Sequence, residues 1–379
     1  MNKQLAKTIL ILGGYGNFGK RIAENLTVLG NVKIVIAGRS KHKAEALVAK
    51  IKKENRTAID SVIIDCKSPE FHNTIQSISP FLTINTCGPF QGQDYKIAEV
   101  CLEIGSHYID LADDRRFVCD ITSLNNRAKQ ANLLIVSGVS TVPGLSSVVV
   151  DYFQTEFKSL ESIDMAIAPG NKAERGEATI GAILSYTGKP FKVFVEGKWQ
   201  YRYGWLNFRK INFGGIIGKR RLANVDVPEL ELFPQRYPGV KTVTFQAGLE
   251  LGILHWSMIK MAYLVKFHMV KSWSPMTKII TRLSYLFDRF GTDKGGMRIK
   301  LIGTGLDGKR KTITWSLFAD HGIGPQIPTI STIILARNLI QGSYYEAKAT
   351  PCLGMYSLED FNNYCQHLDI SYSTEITHG

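Results

Sequence analysis

Ile9-Leu10-Ile11-Leu12-Gly13-Gly14-Tyr15-Gly16-Asn17-Phe18-Gly19-Lys20-Arg21-Ile22-Ala23 is an apolar run, then G-x-G-x-x-G, then the start of a helical pattern. That order builds the strand–turn–helix unit that holds a dinucleotide. Gly14 is expected to permit the tight turn, Gly16 to let the backbone approach a pyrophosphate, and Gly19 to let helix and strand pack closely. Tyr15, Asn17 and Phe18 complete the loop. The helix N-terminus turns its N–H groups toward the phosphates. The competing reading is a Gly-rich turn of purely structural use.

The second half of this signature lies at the end of the next strand, Val32 to Ala37, followed by Gly38-Arg39-Ser40. An NAD site places Asp or Glu about 20 residues beyond the glycines, on the ribose 2′-hydroxyl. Positions 37 to 40 hold no acid. Arg39 stands there and suits a 2′-phosphate, with Ser40 as a hydroxyl donor. The expected cofactor is therefore NADP, with NAD as the alternative. Read otherwise, Arg39 only opens a solvated basic helix with Lys41, His42 and Lys43.

Strand and helix patterns alternate through the first 150 residues, with further strands expected at 61–65, 81–86, 107–111 and 133–137. This predicts an α/β fold with a Rossmann-type doubly wound parallel sheet. Ligands of such sheets bind at the carboxyl ends of the strands. That rule selects Asp65, Cys66, Thr86, Gly88, Pro89, Pro143 and Gly144 as cofactor neighbours, besides the glycine loop, Arg39 and Ser40. Asp65 suits an adenine amino group or a cap on the next helix. Pro143 and Gly144 are expected near the nicotinamide. Tyr108, Asp110 and Asp113 are the acid candidates, Asp110 also suiting a structural role. Asp113-Asp114 equally suits a helix cap.

From about residue 160 the period changes to alternation, at 163–167, 191–196, 242–246, 297–302 and 312–317, with a hairpin turn over 304–309. An inserted, largely antiparallel α+β domain is expected. The resulting division is 1–150 for the NAD(P)-binding domain, 151–325 for substrate and dimerisation, and 326–379 returning to the first domain.

The chain has 379 residues and a net charge of +13. Residues 151–300 carry 23 basic and 13 acidic side chains, while 301–379 carry 5 and 7, so the excess lies mid-chain. Anionic membrane or an anionic substrate fits that charge, and no nucleic-acid motif accompanies it. Within 251–300 there are nine basic and two acidic side chains. There the set Met276, Ile279, Ile280, Leu283, Leu286, Phe287 and Phe290 falls on one side of a helix. Packing on the second domain's sheet is one reading of that helix; an interfacial helix on anionic lipid is the other. Six cysteines without CxxC spacing and a polar start to the chain suggest reduced thiols in a cytoplasmic protein, with peripheral membrane contact as an option. The histidines show no metal spacing, and no metal is expected.

Together the glycine loop, Cys87-Gly88-Pro89-Phe90, His107-Tyr108-Ile109-Asp110-Leu111 and the Pro143-Gly144 loop resemble the saccharopine dehydrogenase-like family. The resemblance covers most of the chain, strongly to about residue 150 and weakly over 160–320. It implies a Rossmann domain, an inserted sheet domain for substrate and dimerisation, a homodimer, and NAD(P)-dependent hydride transfer. An imine or opine-like amino acid is the expected small-molecule substrate. Alternatives are an enoyl reductase-like enzyme acting on a membrane lipid, and a non-catalytic NADP-binding sensor or scaffold.

Overall fold

The computed structural model describes residues 6–54, 57–343 and 346–379. Two compact units emerge, one of residues 1–144 and 326–356, the other of 145–325 and 357–379.

Six strands of the first unit come in chain order: β1 (Lys7–Leu12), β2 (Val32–Gly38), β3 (Ala58–Ile63), β4 (Leu82–Asn85), β5 (His107–Asp110) and β6 (Leu134–Ser137). The second unit contributes β7 (Phe157–Ala168), β8 (Pro190–Val195), β9 (Lys198–Tyr203), β10 (Arg209–Asn212), β11 (Lys219–Asn224), β12 (Thr242–Ala247), β13 (Gly295–Gly305) and β14 (Arg310–Ala319). Then β15 (Lys348–Pro351) rejoins the first sheet and β16 (Ile370–His378) the second.

The first sheet runs β15-β6-β5-β4-β1-β2-β3, and every pairing in it is parallel. Helices cover such a sheet on both faces, so its central strands are apolar at successive positions. Leu82–Asn85, His107–Asp110 and Leu134–Ser137 are buried at every residue. The order reverses between β1, which leads to β2, and its other neighbour β4. A crevice opens at such a reversal, above the carboxyl ends of the strands. The helix Ile327–Gln341, stopped by Gly342 at φ +72°, packs on the glycine-loop helix Asn17–Leu26.

The second sheet runs β10-β11-β12-β7-β13-β14-β16, with β8 and β9 joined to β12. Only β12 and β7 pair in parallel. β13 and β14 form the anticipated hairpin, its turn closed by Gly305 N–H to the Lys309 carbonyl at 2.8 Å and by Gly308 at φ +80°.

Several expectations need correction. Only residues 326–356 of the C-terminal part belong to the first unit. Residues 357–379 join the second, where β16 pairs along β14 and covers an edge that would otherwise be open. The first boundary falls at 144 rather than 150. Between β5 and β6 the chain forms the helix Arg115–Cys119, a 3-10 turn Asp120–Leu124 and the helix Asn125–Gln130. The helix Thr277–Tyr285 divides its apolar residues, and Ile280 packs against an apolar cluster of the second unit. It buries Thr281, while Ile279 and Leu283 are 54% and 53% exposed.

Candidate functional site

The glycine loop leaves β1 at Leu12 and enters the helix at Asn17. Its tight turn belongs to Gly13, which sits at φ +71°, and not to Gly14 as the motif suggested. Left-handed backbone is nearly free for glycine and strained for other residues. Gly14 is required for space: a Cβ there would lie 2.8 Å from the Ile11 carbonyl oxygen and 3.0 Å from Ile36 Cγ2. Gly19 is required too, because a Cβ would strike the Gly13 carbonyl oxygen and lie 2.7 Å from Gly14 Cα. Gly16 precedes the first helical turn, which has no side-chain cap. Asn17 and Phe18 open the helix half-buried, and Asn17 accepts a hydrogen bond from Arg21. Without side chains at Gly14 and Gly19 the start of the helix packs directly on the loop and β1, the compact strand–turn–helix that a dinucleotide site needs. The loop therefore fits a dinucleotide.

At the end of β2, Ser40 N–H donates to the Tyr15 hydroxyl at 2.9 Å. The Tyr15 ring lies across Gly38, where a Cβ would fall 2.7 Å from ring Cζ. One loop residue thus braces the segment that follows β2. Arg39 is exposed there and makes no hydrogen bond or ion pair to another described residue. The Cys66 thiol meets that of Cys87, near Arg39. Their hydrogen bond lowers Cys66 and raises Cys87, which burial raises further. Asp65 is exposed and accepts the Lys67 N–H at 3.0 Å. The following helix starts after Glu70, which makes no side-chain cap, so Asp65 does not cap it either.

Thr86 binds the Leu12 carbonyl through both its N–H, at 3.0 Å, and its hydroxyl, at 2.8 Å. This locks the end of β4 to the glycine loop. Gly88 and Pro89 follow across a cis peptide bond. Gln93 Nε2 donates to the Cys87 and Pro89 carbonyls at 3.0 and 2.6 Å.

The acid candidates separate by burial. Tyr108 and Asp110 are both fully buried in β5, so neither is a group that a substrate can reach. The reason is strand geometry: residues i and i+2 point to one face, and that face is covered. Asn85 Nδ2 donates to the Tyr108 hydroxyl at 3.0 Å. Asp110 Oδ1 accepts from Ala112 N, Ser137 Oγ and Gly138 N, each at 2.9 Å. His107 Nδ1 accepts from Leu134 N at 3.0 Å. The H-Y-x-D-L stretch is thus a clamp joining β4, β5 and β6. Asp113 is only half-buried, accepts from Gln91 Nε2 at 3.2 Å, and is raised by its burial. Asp114 caps the helix Arg115–Cys119 through Phe117 N–H at 2.8 Å.

Pro143 and Gly144 lie beyond β6 as expected, but both are buried. A Cβ on Gly144 would come 3.2 Å from Ser331 Oγ and 3.3 Å from Cys352 Sγ. Ser331 Oγ donates to the Ser140 carbonyl at 2.9 Å, and Thr332 Oγ1 to that of Val139 at 2.5 Å. Helix 327–341 therefore encloses this loop. Pro143 and Gly144 are thus held in place by the packing of that helix and of Cys352. Sequence reasoning missed Gly13, Gly38, Asn85 and Gln91. Gly13 and Gly38 carried a signal, as glycines flanking the motif and ending β2.

The saccharopine dehydrogenase NADP-binding domain family matches residues 9–136, the segment that carries the glycine loop, Arg39, Thr86 and the 107–114 stretch. The chain thus resembles the saccharopine dehydrogenases in this NADP-binding domain. Its fold is also that of the saccharopine dehydrogenase (L-Glu forming) of Saccharomyces cerevisiae. That structure matches with a TM-score of 0.70 at 11% identity, over 98% of this chain and 100% of that one. A probable dehydrogenase from Thermotoga maritima matches at 9% identity over 93% and 92% of the two chains, with a TM-score of 0.45. GenD2 from gentamicin A biosynthesis, in complex with NAD, matches at 10% identity over 83% and 73%, with a TM-score of 0.41. No curated protein matches the chain. The family places an NADP-binding domain of oxidoreductase type in the first unit.

Proposed function

We propose that the protein is an NADP-dependent oxidoreductase that moves a hydride to or from an imine or opine-like amino acid. The observation that carries the cofactor choice is Arg39. It stands exposed at the end of β2, without a partner among the described residues, where an NAD site would hold a carboxylate. A 2′-phosphate is the dianion that this position suits. The substrate class is supported by the full-length likeness in fold to a saccharopine dehydrogenase.

When bound, the dinucleotide supplies the hydride. The chain's own residues bind and orient it. Gly14, Gly16 and Gly19 admit the pyrophosphate, the Asn17–Leu26 helix offers its N–H groups, and Thr86 fixes the β4 end beside them. A proton must reach the substrate nitrogen as the hydride reaches carbon. With Tyr108 and Asp110 enclosed, Asp113 is the acid we assign to that transfer; its raised carboxyl suits holding a proton.

The test combines fluorescence titration with turnover. NADPH should bind at least tenfold more tightly than NADH. A 2-oxo acid mixed with an amino acid should then consume NADPH. NADPH binding without turnover on any such pair would leave the sensor reading standing, and tighter NADH binding would remove the Arg39 argument.

A further inference from the structure

An amphipathic helix on a protein surface normally turns its apolar side inward. The second unit breaks that rule twice. In the helix Thr277–Tyr285 and its flanks, Met276, Ile279, Leu283, Leu286 and Phe290 are 40 to 66% exposed. Their spacings of three and four form one stripe. Against the protein the same helix sets Thr281, whose hydroxyl is returned to the Thr277 carbonyl at 2.7 Å.

The helix Gly252–Lys266 repeats the pattern. Ile253, Trp256, Tyr263 and Phe267 are exposed along one side, with exposed Lys260 among them. Met258, Ile259 and Ala262 face inward, in the same apolar cluster that takes Ile280 of the other helix. Both stripes therefore lie on the outside of one cluster.

Charge selects the occupant. Lys260, Lys271, Lys278, Arg282 and Arg289 are exposed within or beside the stripes. Asp288 is already held by Arg175. A second copy docked on this face by a two-fold axis would set like charges against each other. Apolar and aromatic side chains interleaved with lysine and arginine instead match the headgroup zone of an anionic membrane. Among the described residues no helix is long and apolar enough to cross a membrane. The contact is therefore one of lying on the surface.

We infer that the helices 252–266 and 277–285 together form a docking face for anionic lipid, into which Ile253, Trp256, Ile279, Leu283 and Leu286 insert. This stands independently of the reaction proposed above.

The test is co-sedimentation of the full chain with phosphatidylcholine vesicles containing about 30 mol% phosphatidylglycerol, at about 50 mM salt. Binding is expected to these vesicles, with at least a tenfold loss on pure phosphatidylcholine. Leu283→Glu with Leu286→Glu should lower binding at least tenfold. Both side chains are exposed, so the fold should survive, as unchanged melting and NADPH binding would show. Absence of binding to the anionic vesicles overturns the inference. So does binding unaffected by the leucine substitutions, which would mean attraction by charge without insertion. A dimer that the same substitutions dissociate, with no vesicle binding, would assign the face to a second copy.

Discussion

The Tyr15 hydroxyl accepts the backbone N–H of Ser40 at 2.9 Å, with Gly38 beneath the ring. The glycine loop and the turn after β2 are thereby held together, although 25 residues separate the two partners. Substitution at Gly38 should disturb both. Gly38→Ala places a methyl group against the ring and should cost about 1 to 3 kcal/mol as an overpacked contact, with weakened NADPH binding. Tyr15→Ala in the same chain should restore most of the stability, because it removes the collision. Melting curves of the two single variants and the double variant decide it; additive losses would show that the ring does not press on Gly38.

Arg39→Ala should weaken NADPH about tenfold to a hundredfold, the range of a charge-assisted hydrogen bond, and leave NADH nearly unchanged. Equal losses for both cofactors would mean that the guanidinium does not read the 2′-phosphate. Isothermal titration of each cofactor gives the answer.

Asp110 should make stability depend on pH in an unusual direction. Burial lifts its carboxyl from 3.8 to about 6, against the hydrogen bonds from Gly138, Ala112 and Ser137. The folded protein then holds this proton more tightly than the unfolded chain does. The associated stabilisation is complete below about pH 4, fades as pH rises through about 6, and amounts to about 3 kcal/mol. Asp110→Asn keeps the accepting oxygen and removes the titration. Relative to that variant, the wild type should lose stability between about pH 4 and 7 in urea unfolding. Parallel curves would show that Asp110 ionises without penalty.

Cys66 should be the thiol that reports on the cofactor. The Cys87 hydrogen bond holds it below the ordinary thiol value, and it is only half-buried, whereas burial raises Cys101 to about 12. Iodoacetamide should label Cys66 first, since the thiolate is the nucleophile. NADPH should slow that labelling several-fold. Peptide mapping after brief alkylation would expose an error in either half, through another site of labelling or through indifference to NADPH.

The glycine loop was legible because its demands are local. G-x-G-x-x-G, the strand before it and the helix after it lie within fifteen residues, and each glycine answers to a neighbour a few positions away. Arg39 was legible for the same reason. The assignment of the turn to Gly14 failed because the sign of φ at Gly13 is no part of the spacing. Tyr108 and Asp110 drew attention by chemistry, yet their face of β5 is decided by which helices cover it. The helix 277–285 shows the same limit. Periodicity reveals that it has an apolar side, and only its neighbours decide whether that side meets protein. The fate of residues 357–379 was hidden too, because it rests on a pairing of β16 with β14, some sixty residues apart in the chain.

The first sheet also sets an order of events during synthesis. By Ser137 six of its strands have been synthesised, but β15, the seventh, begins only at Lys348. Until then the hydrogen-bonding edge of β6 stays bare and the Pro143–Gly144 loop lacks the helix that encloses it. The nascent NADP domain must therefore wait, open along one side, while the second unit is made. A truncated product ending near residue 144 would carry the complete phosphate loop on a sheet that cannot close.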